Sequence, residues 1–192
     1  GSTTVGVLGT MATTNNNADP FTVKINSNAP QNTVITFKLT FTDGSYTAFQ
    51  VFKETVNVDY LNITMNDIFT TNSSKGRLCY NSVSQADGLG FDYQNNGTLA
   101  YETGFMVGTS SGVSDNVRGA TAGATDEDFA AVQTIQKNDP PIWSDFDTYG
   151  KFNDNVAPVS QHVSVSHRSA SWINAPDSKY HIFRSEEHTS EL

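Results

Sequence analysis

Apolar and polar residues alternate along much of this chain, and a period of two is typical of a β-strand with one buried face. The alternation is clearest in residues 35–41 and recurs in 21–25 and 61–65. Asp43-Gly44 separates the run 35–41 from the run 46–58, which predicts a β-hairpin. Clusters of Gly, Asn, Asp and Ser separate further short runs. The pattern predicts an all-β protein of antiparallel, immunoglobulin-like β-sandwich modules.

Only residues 126–137 could form a helix. The acidic triplet 126–128 would suit a helix N-terminus, and apolar residues recur every three positions from Phe129 to Ile135. However, Val, Thr and Ile cluster in this segment, which favours a strand with Ala131, Gln133 and Ile135 on one face. Both interpretations stay open, and the strand is preferred.

A domain boundary is predicted at Asp59. Residues 1–58 would be the C-terminal strands of one immunoglobulin-like module, and residues 59–183 the N-terminal part of a second β-sandwich. Truncation at both ends is expected, because the chain starts at Gly1 and residues 4–8 read like the interior of a strand. A severed sandwich exposes an unpaired strand edge, which favours aggregation.

The last nine residues, 184–192, are polar and follow an apolar run without a turn signal. Their sequence, RSEEHTSEL, resembles the translation of a widely used DNA-sequencing adapter. We therefore expect 184–192 to be a disordered, adapter-derived tail whose deletion leaves the melting temperature unchanged. The segment holds one Arg and three Glu, so it accounts for two of the nine net negative charges and leaves −7 for the rest.

Composition excludes several classes of protein. The chain has 20 acidic and 11 basic residues, a net charge of −9 and a pI near 4.7, so a nucleic-acid partner is not expected. No run approaches the roughly 18 apolar residues of a membrane span. Cys79 is the only cysteine, so it has no disulfide partner within the chain, and we predict a small buried hydrophobic side chain there.

The triplet Gly108-Thr109-Ser110 resembles the surroundings of the nucleophile in subtilisin-like serine peptidases. Those enzymes have their catalytic residues in the order Asp, His, Ser, whereas His162, His167 and His181 all follow Ser110 here. We therefore interpret Ser110 as an ordinary loop serine. His162 and His167 lie on a predicted strand and are expected at the surface. We predict no catalytic residue in this chain.

Carboxylates cluster between Asp115 and Asp154. Calcium takes six to eight oxygen ligands, so oxygen-rich loops of this kind are candidate calcium sites. The candidate ligands are Asp126, Asp128, Asp145 and Asp147. Their spacing lacks the glycine and the terminal Glu of an EF-hand loop, so a solvated acidic turn is the alternative. The sequence indicates no cofactor other than calcium.

The two tryptophans, Trp143 and Trp172, allow two interpretations. Together with the seven tyrosines they could stack on sugar rings. Packing in a sandwich core is the more common use of such side chains and is preferred here.

A series of short motifs from Phe49 onward resembles one family. In chain order they are FQVF at 49–52, VNVDYLN at 56–62, KGRL at 75–78, GLGF at 88–91, LAYETGFMVGT at 99–109, VSDNVRG at 113–119, SDFD at 144–147 and ASW at 170–172. Over about 37–183 the chain resembles the non-catalytic β modules that follow the catalytic domain in secreted subtilisin-like serine peptidases of Bacteroidota. No catalytic residue of that family is carried over.

The resemblance implies an extracellular or bacterial cell-surface location, export by the type IX secretion route and an upstream peptidase domain in the same chain. The expected function is a non-catalytic accessory segment that spaces, stabilises or orients that catalytic domain. The alternative is an extracellular adhesion or glycan-binding module with calcium-stabilised loops, whose partner would be a cell-surface protein or a glycan.

Overall fold

The computed structural model describes residues 1–26, 28–81, 87–100, 103–117 and 126–189. Within these ranges the regular elements are β-strands and one 3₁₀ turn, Asp177–Lys179. Every strand pairs antiparallel, which confirms the predicted all-β class. Motif residues 101–102 and 118–119 and tail residues 190–192 lie outside the described ranges.

The chain divides into two compact units, Gly1–Asn57 and Val58–Leu192. The division lies one residue before the predicted boundary. In the described part of the chain, no helix has the length and apolar character needed to cross a membrane.

The first unit contains one hairpin, formed by β1 (Thr33–Asp43) and β2 (Tyr46–Val56). The predicted hairpin is confirmed: Gly44 and Ser45 form its loop, and Gly44 has the positive φ (56°) that the first position of a type II′ turn requires. The strands predicted at 4–8 and 21–25 are wrong, because these residues have no strand structure. Alternation alone does not form a strand when no neighbouring strand accepts its backbone hydrogen bonds.

One face of the hairpin is apolar and only half-buried. Ile35, Phe37 and Leu39 on β1 lie on this face, and the Phe37 ring stacks on that of its register partner Phe52 with centroids 5.1 Å apart. None of the described residues from 1 to 57 is buried. The residues of this unit therefore do not enclose a hydrophobic core of their own.

The second unit contains two larger sheets and a hairpin. The first sheet has the order β3-β4-β5-β7, with β6 also paired to β4. Its strands are β3 (Tyr60–Ile63), β4 (Ile68–Ser73), β5 (Arg77–Leu78), β6 (Phe91–Tyr93) and β7 (Thr103–Gly104). The hairpin consists of β8 (Met106–Thr109) and β9 (Gly112–Asp115).

The other sheet is a meander of four strands in consecutive order. They are β10 (Ala130–Lys137), β11 (Phe146–Asn153), β12 (Val163–Ser171) and β13 (His181–Thr189). β10 confirms the strand interpretation for most of residues 126–137. The immunoglobulin-like arrangement stays a prediction, since a meander of neighbouring strands does not define it.

Aromatic and branched side chains form the main core of the second unit. Phe129, Phe152, Val163 and Val165 are buried together, and the Phe129 and Phe152 rings lie 4.9 Å apart. Gly76 passes close to this core with a φ of 77°, and a Cβ there would lie 2.8 Å from the Phe152 ring. Only glycine meets both requirements at this position.

A smaller set of buried apolar residues lies on and beside the first sheet: Ile63, Ile68 and Cys79. Burial raises the pKa of the Cys79 thiol, with weaker opposing effects from Thr103 and Thr70. The prediction of a small buried hydrophobic cysteine is confirmed.

Polar side chains connect the two larger sheets. The Asn72 side-chain amide on β4 donates to the Thr148 hydroxyl on β11 (3.2 Å), and the Ile135 backbone N–H on β10 donates to the Ser74 hydroxyl (2.9 Å). Thr148 also shares a hydrogen bond of 2.6 Å with Ser169 on β12. The two sheets therefore contact each other through polar as well as apolar groups.

The disorder predicted for 184–192 is wrong for 184–189, which form the second part of β13. The prediction relied on polar composition. Strand pairing uses backbone groups, however, and an edge strand can carry polar side chains on a solvated face. The register pairs Arg184 with Arg168 and Thr189 with Val163. The resemblance of these residues to an adapter sequence stays a hypothesis about their origin.

Deleting 184–192 tests the contribution of this strand. Six of the nine β12–β13 register pairs would be lost, leaving much of β12 without its neighbour. We expect the melting temperature to fall by roughly 5–10 °C, the range for a loss of a few kcal/mol in a chain of this size. Calorimetry or thermal circular dichroism measures the shift.

Ser185→Ala is the control, because it removes a side-chain contact and keeps the backbone pairing. It should lower the melting temperature by less than the deletion does. An unchanged melting temperature in the deletion variant would show that the tail does not belong to the fold.

Candidate functional site

The triplet that resembles a peptidase motif lies at the tip of the β8–β9 hairpin. Ser110 and Ser111 form its two-residue loop and are both exposed. The Ser111 backbone N–H donates to the Thr109 hydroxyl (3.0 Å), which in turn donates to the Gln161 side chain. Within the described residues, no histidine is hydrogen-bonded to this loop. The geometry is that of an ordinary hairpin turn.

Two of the calcium candidates lie beside Asp115. The Asp128 carboxylate accepts the Asp115 backbone N–H (3.2 Å), and the Asp128 N–H donates to the Asp115 carbonyl (3.1 Å). Burial raises the pKa of Asp126, and the charges of Asp128 and Asp115 raise it further. The charges of these three carboxylates therefore affect one another, and two of them, Asp128 and Asp115, each accept a backbone N–H.

The third candidate, Asp147, organises the loop that precedes β11. Its side chain is fully buried and accepts hydrogen bonds from the Trp143 N–H (2.7 Å), the Ile142 N–H and the Ser144 hydroxyl. Burial raises the pKa of this carboxyl, but the hydrogen bonds lower it by more, so the pKa lies below its ordinary value. Asp147 therefore holds the backbone around Trp143 in place.

The fourth candidate, Asp145, accepts the backbone N–H of Ile173 at 2.9 Å. Across the described ranges, no three His, Cys, Asp or Glu side chains form a cluster that could hold a metal ion. Asp128 is bonded to the backbone at Asp115, whereas Asp145 and Asp147 are bonded to backbone at Ile173 and Trp143. Calcium binding by the four aspartates stays a prediction.

Asp154 organises the connection between β11 and β12 and was not among the predicted residues. It is fully buried and accepts hydrogen bonds from Ser114 Oγ, Ser160 Oγ and the Val163 N–H, each at 3.0 Å, and from the Gln161 N–H at 2.5 Å. Burial raises the pKa of Asp154, but these four hydrogen bonds lower it below its ordinary value. One carboxylate thus connects β9, the loop and β12.

The prediction of a surface position is wrong for His167, and His181 is not at the surface either. His167 is 1% exposed, and His181 is half-buried. The signal was present in the sequence: Val163, Val165 and His167 occupy alternate positions of β12, so they share one face. The buried valines define that face as the inner one.

Each of these histidines is paired with a serine on the neighbouring strand. His167 Nδ1 lies 2.8 Å from Ser185 Oγ, and His181 Nδ1 lies 2.5 Å from Ser171 Oγ. Phe183 lies between them, with its ring centroid 6.3 Å from that of His167 and 4.4 Å from that of His181. Burial lowers the pKa of both histidines to about 4, and the charge of His167 adds to the effect at His181.

A Ser–His pair is a catalytic element only where substrate reaches the hydroxyl. Ser171 is fully buried, and within the described residues the Nε2 atoms of His167 and His181 are buried without a hydrogen-bond partner. The paired imidazoles are neutral near pH 7. Their position in the sheet is that of structural polar contacts.

The tryptophans do not form the core, so the preferred interpretation of them is wrong. Trp143 is 45% exposed, and Trp172 is half-buried with its ring 5.8 Å from that of Tyr180. The Arg168 guanidinium lies 4.7 Å from the centre of the Trp143 ring and 5.3 Å from that of Tyr149. An arginine held between two aromatic rings therefore lies on the outer side of the four-stranded sheet.

No protein-family model, curated protein or solved structure matches this chain. Fold and site together define an all-β antiparallel protein in which the buried carboxylates of Asp147 and Asp154 hold loops.

Asp154→Asn tests the carboxylate that organises the β11–β12 connection. The amide keeps one oxygen and places its NH2 group against the backbone N–H of either Gln161 or Val163, so we expect a loss of about 2–4 kcal/mol in the free energy of unfolding. Denaturant unfolding at pH 7 measures it. Asp139→Asn, at an exposed position, should change stability by no more than about 0.5 kcal/mol. Equal effects of the two substitutions would contradict the assigned role.

The buried histidines predict a pH dependence of stability. Because their pKa values fall from 6.5 in the unfolded chain to about 4 in the fold, the unfolded state takes up protons first as the pH decreases. The contribution of these histidines to the free energy of unfolding is complete above about pH 6.5 and is lost between pH 6.5 and about pH 4. For His167 the loss is on the order of 2–4 kcal/mol. Asp147 and Asp154 act in a lower window, below about pH 4, since their pKa values are depressed.

Urea unfolding at half-unit pH steps from 7.5 to 4 measures this slope. His167→Gln should make stability less dependent on pH across that window, whereas His188→Gln, at an exposed position, should leave the dependence unchanged. A wild-type stability that does not vary from pH 6.5 to 4 would refute the prediction.

Proposed function

We propose that this chain is a non-catalytic accessory β-segment of a secreted subtilisin-like serine peptidase, which spaces, stabilises or orients the catalytic domain. The observation that carries the proposal is the internal use of the reactive groups. The Ser171–His181 and His167–Ser185 pairs connect β12 to β13, and Asp147 and Asp154 hold loops. Such groups are unavailable for hydrolysis of a peptide bond.

The β1–β2 hairpin gives further support. Its apolar face, which includes Phe37 and Phe52, is not enclosed by residues 1–57. Exposed apolar faces of this kind are used for contact with other protein surfaces. A module that contacts further domains of a longer protein fits this property. The immunoglobulin-like strand order, the extracellular or cell-surface location and the type IX export route belong to the same proposal and rest on the motif resemblance.

A glycan-binding or adhesion module is the second candidate. One observation favours it: Trp143, with 45% of its surface exposed, lies beside Tyr149 and Arg168 on the outer side of a sheet. Aromatic rings with an exposed face are suited to contact with an amphipathic ligand. The calcium-stabilised loops of this candidate would use the aspartates considered above.

A fluorophosphonate probe for activated serines tests the first proposal. We expect no labelling of the purified chain, because the exposed Ser110 has no hydrogen-bonded histidine within the described residues. Ser110→Ala and its neighbour Ser111→Ala are the matched variants. Labelling of the wild type that disappears in Ser110→Ala and persists in Ser111→Ala would overturn the non-catalytic role.

The reading frame of the source DNA separates the two candidates. An upstream peptidase domain with its Asp, His and Ser in that order would support the accessory role. Tandem β-sandwiches without such a domain would favour the glycan-binding module.

A further inference from the structure

The outer face of the four-stranded sheet carries a cationic and aromatic cluster, which we define as Trp143, Tyr149, Lys151 and Arg168. We propose that this cluster binds an acidic saccharide, with the Arg168 guanidinium on a hexuronate carboxylate and the Trp143 ring against the sugar. The inference deepens the second candidate function and is independent of the peptidase proposal.

Strand register places the cluster on one face. Tyr149 on β11 is the register partner of Arg168 on β12, and Lys151 is the register partner of Ser166. These positions alternate with the buried Gly150 and Phe152, so Tyr149 and Lys151 point away from the core. Successive outward positions on a strand lie roughly 7 Å apart, so Lys151 supplies a second cation along the same line.

Arg168 is held by rings and not by hydrogen bonds. Its guanidinium lies between Trp143 and Tyr149, and its Nε atom is buried without a hydrogen-bond partner in the described part of the chain. Within that part it also forms no ion pair, although the protein carries a net charge of −9. The terminal N–H groups of a guanidinium match a carboxylate in a bidentate pair. An arginine that is oriented and left without an anion is suited to bind one from solution.

The nearby acidic groups do not neutralise Arg168. The Asp147 carboxylate is buried under the loop and hydrogen-bonded to the Trp143 N–H. Glu186 forms an ion pair with Arg184, the β13 register partner of Arg168. Among the strand residues on this face of β11–β13, the cations Lys151, Arg168 and Arg184 outnumber the carboxylates Asp147 and Glu186 by one, so the face is net positive on an otherwise acidic chain.

Trp143 is fixed before any ligand binds. The Asp147 carboxylate holds the backbone N–H groups of Ile142 and Trp143, so the backbone that carries the indole is fixed, and the ring itself lies against the Arg168 guanidinium. Preorganisation of this kind lowers the entropic cost of binding. An aromatic surface beside a bidentate cation favours a ring that carries a carboxylate over an acidic peptide, whose carboxylates lie on flexible side chains.

Calorimetric titration of the full chain tests the proposal, with hexagalacturonate as the acidic probe and maltohexaose as the neutral one. We expect hexagalacturonate to bind, and its affinity should decrease at least threefold from 50 to 300 mM NaCl. A parallel fluorescence titration should show a change in tryptophan emission. Maltohexaose should not bind measurably. No binding of hexagalacturonate, or equal affinity for maltohexaose, would overturn the proposal.

Three variants locate the site. Arg168→Gln and Trp143→Ala should each weaken binding at least tenfold, and Arg168→Lys should weaken it less because it keeps the charge. Lys38→Gln is the matched control, since Lys38 lies 4.5 Å from the centre of another surface ring, Phe49. The affinity of this variant for hexagalacturonate should equal that of the wild type. The melting temperature of each variant verifies its folding. If Arg168→Gln does not fold, the affinities of Arg168→Lys and Trp143→Ala relative to wild type test the assignment.

Unchanged affinity in Trp143→Ala together with unchanged affinity in the Arg168 variants would refute the assignment. Poly-glutamate binding as tightly as hexagalacturonate would refute the saccharide as ligand and indicate an acidic peptide. Because the fluorophosphonate assay has a separate readout at Ser110, labelling there would overturn the accessory role without affecting this test.

Discussion

Buried polar groups need hydrogen-bond partners inside the protein, and this requirement determines much of the second unit. Asn72, Thr148 and Ser169 form a continuous series of hydrogen bonds from the first sheet into the second. A buried group left without a partner costs roughly 1–3 kcal/mol, so such a series specifies the alignment of the two sheets as well as stabilising them. The His–Ser pairs extend the same arrangement to β13, which is why a polar strand can belong to this sheet.

The same requirement explains how the chain uses its carboxylates. Asp147 and Asp154 each accept three or four hydrogen bonds from groups of the protein. A carboxylate has about four lone-pair sites, so the four hydrogen bonds of Asp154 occupy them, whereas Asp147 keeps one. Sequence alone does not distinguish an aspartate that organises a loop from one that binds calcium, because both occur in polar segments between strands.

Local signals in the sequence predicted local structure well. Asp43-Gly44 fixes the hairpin through backbone geometry at two or three residues, so its prediction needs no knowledge of the rest of the fold. The run at 21–25 has the same alternation but forms no strand. Strand formation requires a pairing partner, and whether one is present depends on residues distant in the sequence. The face of His167 could be predicted from the phase of Val163 and Val165, whereas its serine partner depends on the β12–β13 register. The contact of Trp143 with Arg168 joins a loop, whose backbone is held by Asp147, to a strand 25 residues later, and it has no sequence signal of its own.

Three cations in the described part of the chain lie over aromatic rings: Lys38, Lys137 and Arg168. The surroundings of Lys38 and Arg168 differ most. Lys38 is a flexible point charge over the single ring of Phe49, on a hairpin without buried residues. Arg168 lies between two rings on a central strand of a four-stranded sheet, and a buried carboxylate fixes the loop that carries one of them. A ligand that binds Lys38 must order the side chain, while one that binds Arg168 meets a group already oriented. The lower entropic cost, together with the bidentate geometry of the guanidinium, distinguishes Arg168 as the cation suited to recognise a carboxylate.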